Sequence, residues 1–335
     1  MRKHRITTAK HIIYFYNQFF LHFFYFFIPH VLKGLDYHTM IYTGPSSRKG
    51  FELVAGELKS YGADVIVGVG GGRILDVAKA SGDLAGIHVF TAPTSAGTCA
   101  AYAILYVEYA ENGRIARNGF MKHEICGVLA DLDYILDDCP VRYFVSGIAD
   151  SMAKHPEFTF TSLLLGEEGR IPPTVSGVMI AGYTYEQYLT KGIQAVEEFK
   201  NKSDSSMLED FVNMNIMMTG LISNLSVGGK SLALAHIFYD AICYKYHEIR
   251  ANFLHGELVG MALPVQLYIN GCPEEEIYRL QEFLRALNVP VKLEEIGFPE
   301  DPAALEDLAE YLYVETCNGF EELRGKIREG LNYLK

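Results

Sequence analysis

The sequence predicts a first α/β domain with a parallel sheet over residues 1–138, followed by an all-α second domain over residues 139–335. As far as residue 130, short β-branched runs alternate with amphipathic helical segments in the order β-α-β-α-β, which is typical of a parallel sheet covered by helices. Beyond Pro140 the strand patterns thin out and apolar residues recur at helical spacing. No linker of biased composition separates the halves, so we expect the domains to share a broad interface with a cleft.

Composition narrows the class of protein. At 335 residues the chain is long for one core and sufficient for two domains. Its hydrophobic content of 49% and charged content of 21% are those of a globular protein. The net charge of -12 argues against nucleic acid or an anionic membrane as a partner. The six cysteines are scattered and form no CxxC pair, which predicts reduced thiols and a cytoplasmic protein.

Residues 1–30 differ from the rest of the chain. A basic start precedes residues 12–28, which are rich in Phe, Tyr, Ile and Leu. This segment could be a strand and a helix of the first domain, or a start read in the wrong frame. A membrane signal or anchor is a third interpretation, but there is no small-residue cleavage site and aromatic residues predominate. We therefore expect no membrane as a partner.

Local patterns predict the remaining elements. Residues 40–42 predict a short strand, and Ser46 and Ser47 can cap a helix that ends at Gly62. The predicted buried face of this helix consists of Phe51, Val54, Ala55 and Leu58. Further strands are predicted at residues 65–67, 88–92 and 127–130, and helices of the second half at residues 207–221 and 277–287.

A glycine-rich turn follows the strand at residues 65–67. Gly70, Gly71 and Gly72 precede a helix, so backbone N–H groups at its positive end could approach a phosphate closely. The turn does not fit the G-x-G-x-x-G fingerprint, because Arg73 stands where that pattern needs a glycine. We predict a pyrophosphate site here; the alternative is a tight connection without a ligand.

Three separated residues of the second half are candidate metal ligands. They are Asp150, His236 and His255. A single helical histidine is more often a surface or core residue than a ligand. A catalytic metal, however, needs three protein ligands of the Asp and His type and an open position for substrate.

Together these motifs resemble one family. The glycine turn continues as GGGxxxDxAK, Pro93-Thr94 follows the next strand, Asp150 lies in a Gly-x-x-Asp helix, and His255 is followed by glycine. This pattern resembles the iron-containing alcohol dehydrogenase superfamily, in its glycerol dehydrogenase branch, from about residue 40 to the end.

The resemblance implies a Rossmann-like sheet followed by a helical metal-binding domain, as in dehydroquinate synthase-like architectures. It implies NAD or NADP as cofactor, a divalent metal on Asp150, His236 and His255, and metal-assisted hydride transfer to or from a small-molecule alcohol. A homo-oligomer is also implied. The implied cofactor-binding residues are Gly70, Gly71, Gly72, Arg73, Asp76, Thr94, Gly97, Leu105 and Tyr109.

Departures from the pattern bear on the metal and the substrate. Lys154 stands where many iron-binding members have a histidine four residues after the Asp, and Tyr239 where glycerol dehydrogenases have a second histidine. We therefore prefer zinc, with iron as the alternative. Cys99 replaces an Asp that holds the polyol in glycerol dehydrogenases, so we place Cys99 and Lys154 in the substrate pocket.

The predicted function is a metal-dependent, NAD(P)-linked dehydrogenase of a small polyol or hydroxy compound. A 2-oxo acid reductase of the same family is the first alternative, because the run Thr-Cys-Ala-Ala at residues 98–101 looks like that branch. Dehydroquinate synthase is disfavoured, since its Gly-Gly-Lys follows Pro-Thr closely and here occupies residues 228–230. A non-catalytic relative is the last alternative, because residues 1–30 replace the segment with the first strand and the acidic residue that selects NAD.

Overall fold

A computed structural model describes residues 11–16, 36–226 and 232–335. The chain divides into two compact units, Met1–Cys139 and Pro140–Lys335. The Gly-Gly-Lys run at 228–230, and the part of the membrane hypothesis that concerns residues 17–28, lie outside the described residues. In the part of the chain that is described, every helix is too short or too polar to cross a membrane.

The first unit contains a parallel sheet and an antiparallel hairpin. Its strands are β1 (His11–Tyr16), β2 (Asp36–Ile41), β3 (Val65–Gly70), β4 (His88–Pro93), β5 (Leu105–Tyr109), β6 (Ile115–Phe120) and β7 (Gly127–Val128). Five of them form the sheet in the order β2-β1-β3-β4-β7, with every pair parallel. The predicted parallel sheet is thus confirmed, although the predicted strand at residues 127–130 is only two residues long.

The first described strand, β1, belongs to the segment of residues 1–30, for which several interpretations were open. β1 pairs with β2 on one side and β3 on the other, so residues 11–16 are an interior strand of the sheet. β3 is buried along its whole length, as expected for a parallel strand covered on both faces. Its last residue, Gly70, pairs with Pro93 at the end of β4, which brings the glycine turn beside the Pro-Thr loop.

Two helices of this unit begin and end where their residues predict. Helix α1 (Arg48–Tyr61) is capped by the Ser47 side chain, which accepts a hydrogen bond from the Gly50 amide, and it ends at Gly62 in the left-handed conformation. The predicted face of this helix is buried. Helix α2 (Gly72–Ala85) follows the glycine turn directly. A short third helix, α3 (Leu132–Asp138), follows β7.

The hairpin of β5 and β6 is not among the elements predicted from the sequence. Its turn contains Asn112-Gly113, a common hairpin signal that could have found it. A fully buried lysine of α2, Lys79, fastens this hairpin by donating to the backbone oxygens of Ala103 at 2.9 Å and Leu105 at 2.5 Å. Asp76 pairs with Lys79 at 2.9 Å and accepts a hydrogen bond from the Val107 amide at 3.1 Å.

The described part of the second unit is helical. Its α-helices are α4 (Val141–Leu164), α5 (Pro172–Lys200), α6 (Ser206–Asn213), α7 (Thr219–Leu225), α8 (Leu234–Lys245), α9 (His247–Asn252), α10 (His255–Asn270), α11 (Glu274–Ala286), α12 (Pro302–Cys317) and α13 (Glu321–Gly330). Helix α10 is buried on nearly all sides and packs against α4, α8, α11 and α13. It is therefore the central helix of this unit.

One predicted helix of the second unit is interrupted. The expected helix at residues 207–221 is instead α6 and α7 joined by a π-helical turn, Met214–Met218. Within this turn the buried Asn215 accepts a hydrogen bond from Tyr188 Oη at 2.8 Å and donates to the Phe144 backbone oxygen at 3.2 Å. The extra residue of a π turn is thus used to bring a polar side chain into the core.

We predict that Lys79→Met destabilises the first unit by about 3–5 kcal/mol, because it removes the cation that pairs with the buried Asp76 carboxylate and the donor to two carbonyls. The measurement is the midpoint of urea denaturation followed by circular dichroism. Lys59→Met, at a solvent-exposed lysine of α1, is the control and should shift the midpoint little. Equal midpoints for the two variants would contradict this account of Lys79.

Candidate metal centre and nucleotide site

Three helices of the second unit bring the predicted metal ligands together. Asp150 lies in α4, His236 near the start of α8, and His255 is the first residue of α10. Oδ1 of Asp150 lies 3.2 Å from Nε2 of His236 and 3.4 Å from Nε2 of His255. One ligand atom from each residue lies within 4.8 Å of the others.

These distances fit a single ion. Ligands about 2.1 Å from a tetrahedral ion lie about 3.4 Å from one another, close to the two separations observed at Asp150. Oδ1 of Asp150 is also buried without a hydrogen bond of acceptable geometry from the described residues. A buried carboxylate oxygen normally has such a partner, so this atom has the surroundings expected of a metal ligand.

Glu157 orients His236 and was missed in the sequence. Nδ1 of His236 lies 2.9 Å from each carboxylate oxygen of Glu157, and its backbone amide donates to Oε1 at 3.0 Å. The pair leaves Nε2 directed at Asp150, as in metal sites where a carboxylate fixes the histidine tautomer. Glu157 lies seven residues after Asp150, on the same face of α4, and that spacing was the available signal.

The charges around the site set its protonation in the metal-free protein. Burial disfavours the charged form of His236, but the Glu157 carboxylate outweighs it and raises the pKa to about 9. Burial also lowers the pKa of His255, which Asp150 only partly offsets. Although burial alone would raise the pKa of Asp150, the His255 and Lys154 side chains hold it well below its usual range.

An ion pair between an exposed arginine and a buried glutamate fixes the start of α10, where His255 lies. Arg142 of α4 donates to both carboxylate oxygens of Glu257, at 2.6 and 2.7 Å, and to the Asn252 backbone oxygen at 2.8 Å. Glu257 in turn accepts a hydrogen bond from the Leu254 amide at 2.7 Å. Neither Arg142 nor Glu257 was identified in the sequence, because 115 positions separate them.

Gly256 allows α10 to approach α4 closely. A Cβ atom at this position would lie 1.8 Å from the backbone oxygen of Ser146, and the Gly256 amide donates to Oγ of Ser146 at 3.1 Å. Ser146 precedes Asp150 by one helical turn. The His-Gly pair therefore places His255 opposite Asp150 through a contact that only glycine permits.

Tyr239 packs against His255, and its hydroxyl is hydrogen-bonded to Arg250. The two rings meet edge to face with centroids 4.3 Å apart. The Tyr239 hydroxyl accepts a hydrogen bond from Nε of Arg250 at 2.9 Å.

Lys154, predicted to lie in the substrate pocket, reaches the metal-ligand cluster. Its Nζ lies 3.3 Å from Nε2 of His236. Cys99, the other predicted pocket residue, lies in the loop after β4 in the first unit and is half-buried. Its role stays a prediction.

The glycine turn has the shape expected of an anion site. Gly70 has a φ of 155°, which L side chains rarely adopt, and a Cβ there would lie 2.9 Å from Cβ of Ile74. The space at the Cβ position of Gly71, which caps α2, is open. Gly72 lies against the Thr98 side chain, and the Thr94 amide donates to the Gly70 oxygen at 3.1 Å. The turn and the loop containing Thr94 and Gly97 therefore form one continuous surface.

The remaining predicted cofactor residues divide into two groups. Arg73 and Tyr109 line a cavity of about 1040 Å³ in the first unit, together with residues 40–50. Asp76 is instead buried and engaged with Lys79 and Val107, while the Leu105 backbone accepts from Lys79. Contact of Asp76 or Leu105 with a nucleotide stays a prediction. In the structure both residues already bind other parts of the protein.

Comparisons with known proteins agree with this architecture. The family model described as iron-containing alcohol dehydrogenase matches residues 31–134. The glycerol dehydrogenase of Schizosaccharomyces pombe has a similar fold, with a TM-score of 0.83 at 21% identity, over 97% of this chain and 84% of that one.

Two curated relatives are similar over most of their length. The glycolaldehyde reductase of Halobacterium salinarum is 29% identical over 265 residues, which is 79% of this chain and 71% of the relative. The glycerol dehydrogenase of Thermotoga maritima is 31% identical over 273 residues, which is 81% of this chain and 72% of the relative. On this similarity the chain belongs to the iron-containing alcohol dehydrogenase family and is an oxidoreductase acting on alcohols.

Proposed function

We propose that the protein interconverts a small polyol or hydroxy compound and its carbonyl form, using NAD or NADP and a divalent metal. The observation that carries this proposal is the convergence of Asp150, His236 and His255, whose ligand atoms lie within 4.8 Å of one another. The burial of Oδ1 of Asp150 without a well-formed hydrogen bond from the described residues also supports it.

Each residue of the centre has a separate task in this proposal. Asp150, His236 and His255 would hold the ion, and Glu157, by accepting a hydrogen bond from Nδ1–H of His236, would leave Nε2 as the nitrogen that binds it. Arg142 and Glu257 hold the backbone before His255. A divalent ion held by these residues would lower the pKa of a substrate hydroxyl, and a nicotinamide cofactor would supply or accept the hydride.

We propose zinc as the metal, with iron(II) as the alternative. Two imidazoles and one carboxylate suit both ions, and three protein ligands with one open position are the usual set for catalytic zinc. The Tyr239 hydroxyl, which is engaged by Arg250, supports a site with three protein ligands.

The proposed nucleotide site consists of Gly70, Gly71, Gly72 and Arg73, with Thr94, Gly97 and Tyr109 around it. The open Cβ position at Gly71 supports a close approach of phosphate to the start of α2. The exposed Arg73 adds a positive charge at the same place.

Glycerol and glycolaldehyde appear in the names of the two relatives, so a small polyol or hydroxyaldehyde is the first substrate class that we propose. A 2-oxo acid is the second, and the position of Lys154 beside His236 favours it. We also propose a cytoplasmic homo-oligomer, supported by free thiols and by the exposed apolar side chains of Met179 and Tyr183 on α5.

His255→Ala tests the metal site. We expect metal affinity to fall by more than about 100-fold, since even residues that merely orient a ligand are worth about 10- to 100-fold. Turnover should be lost while cofactor binding, measured by calorimetry, changes little. His247→Ala, at an exposed histidine of α9, is the control. Unchanged turnover in His255→Ala would refute the metal centre.

The raised pKa of His236 predicts that metal binding releases a proton. With a pKa of about 9, His236 is protonated in the metal-free protein at pH 7.5, whereas His255 and Asp150 already lack their protons. The ion must displace that proton, so its affinity should rise about tenfold per pH unit from pH 7 to 9 and then level off. Calorimetry in buffers of different ionisation enthalpy measures the proton release. A pH-independent affinity over this range would contradict the assignment.

Cys99→Asp tests the predicted pocket residue. A carboxylate at this position repels an anionic substrate and accepts hydrogen bonds from a polyol. We therefore expect the ratio of kcat/KM for 2-oxo acids to that for polyols to fall by about tenfold. The neutral variant Cys99→Ser should leave the ratio nearly unchanged, and a similar ratio in both variants would remove Cys99 from the pocket.

A further inference from the structure

A lysine stands beside the candidate ion site. Lys154 follows Asp150 by one turn of α4 and lies on the same face. Its Nζ is 3.3 Å from Nε2 of His236, the same nitrogen that faces Oδ1 of Asp150 at 3.2 Å. A lysine cannot ligate while protonated, so its position needs another explanation.

Two carboxylates flank His236. Nε2 of this histidine lies 3.2 Å from Oδ1 of Asp150, and its Nδ1 lies 2.9 Å from the Glu157 carboxylate. These two carboxylates match the charge of a divalent ion, so without a further cation the centre has no net charge to attract an anionic substrate. Lys154, whose Nζ lies beside the same histidine, supplies that positive charge.

The position of the Lys154 ammonium restricts the class of substrate that it can bind. In a 2-oxo or 2-hydroxy acid the carboxylate is bonded directly to the reacting carbon. Its charge would therefore lie within a few ångströms of the ion, where Lys154 can reach. A phosphoester places its charge farther from the reacting carbon, and a neutral polyol has no charge for the lysine to bind. The flexible four-carbon stem lets the ammonium turn from His236 toward such a group once an ion is bound.

We infer that Lys154 is a specificity-determining residue that binds the carboxylate of a 2-oxo acid or the corresponding 2-hydroxy acid. This inference rests on the proposed metal-dependent dehydrogenase function. In the reductive direction, hydride from NAD(P)H adds to C2, a proton from solvent adds to the carbonyl oxygen, and the products are the 2-hydroxy acid and NAD(P)+.

The test compares an acid with a neutral substrate of nearly the same shape. 2-Oxobutanoate and 2-oxobutanamide differ in charge but have the same carbon chain, and glycolaldehyde is a second neutral substrate. Lys154→Met removes the charge and keeps most of the apolar stem, and Lys154→Gln is a second variant in case the first fails to fold. Lys191→Met, at an exposed lysine of α5, is the matched control. All proteins are assayed as full chains loaded with zinc, and their zinc content is measured.

We expect kcat/KM for 2-oxobutanoate to fall about 10- to 100-fold in Lys154→Met, mainly through KM, as for the loss of a hydrogen bond to a charged group. The values for 2-oxobutanamide and glycolaldehyde should change less than about threefold, with zinc still bound. Lys191→Met should match the wild type for every substrate.

Other results would overturn the inference. An equal loss for acid and amide, or a loss of zinc, would assign Lys154 a structural role. A wild type that reduces glycolaldehyde but prefers the amide to the acid would refute carboxylate binding while leaving the dehydrogenase function intact. A zinc-loaded wild type without turnover of any substrate would refute the proposed function, and this inference with it.

Discussion

One buried carboxylate oxygen, Oδ1 of Asp150, is the constraint on which the second unit depends. It is buried without a well-formed hydrogen bond from the described residues, and an ionised carboxylate in that position is costly unless a cation lies nearby. In the metal-free protein His236 and Lys154 provide positive charge beside it. The side chains that surround the candidate ion site thus also explain how the fold accommodates the buried charge of Asp150 without an ion.

The positions of the ligands follow from helix packing. His255 lies at the start of α10, which is buried on nearly all sides and cannot move without disturbing the core. Gly256 against Ser146 sets the distance between α10 and α4, and Arg142 with Glu257 sets the direction of the chain before the helix. Asp150 lies one turn beyond Ser146 on α4. These contacts therefore set the distance between the backbones of Asp150 and His255, whichever rotamers their side chains adopt.

The sequence predicted the parallel sheet, the helical second half and the three residues that converge on the site, because each rests on a local period or a short motif. What it missed depends on contacts between distant segments. Arg142 and Glu257 have no local signal that links them. Glu157 had one, its seven-residue spacing from Asp150, but an acidic residue at that spacing is common on a solvated helix face. The π turn at Met214–Met218 keeps the apolar pattern of an ordinary helix, so periodicity alone could not reveal it.

The motif GGGxxxDxAK shows why a family pattern does not by itself separate ligand residues from structural ones. The Cβ position of Gly71 is open and Arg73 lines a cavity, whereas Asp76 and Lys79 are buried and anchor β5 to α2. β5 ends at Tyr109, which lines the same cavity as Arg73. One helix therefore presents its first turn to the cavity and, two turns later, anchors the strand that forms part of the cavity wall. Burial distinguishes the two roles, and the spacing of the motif reflects the need to combine them on a single helix.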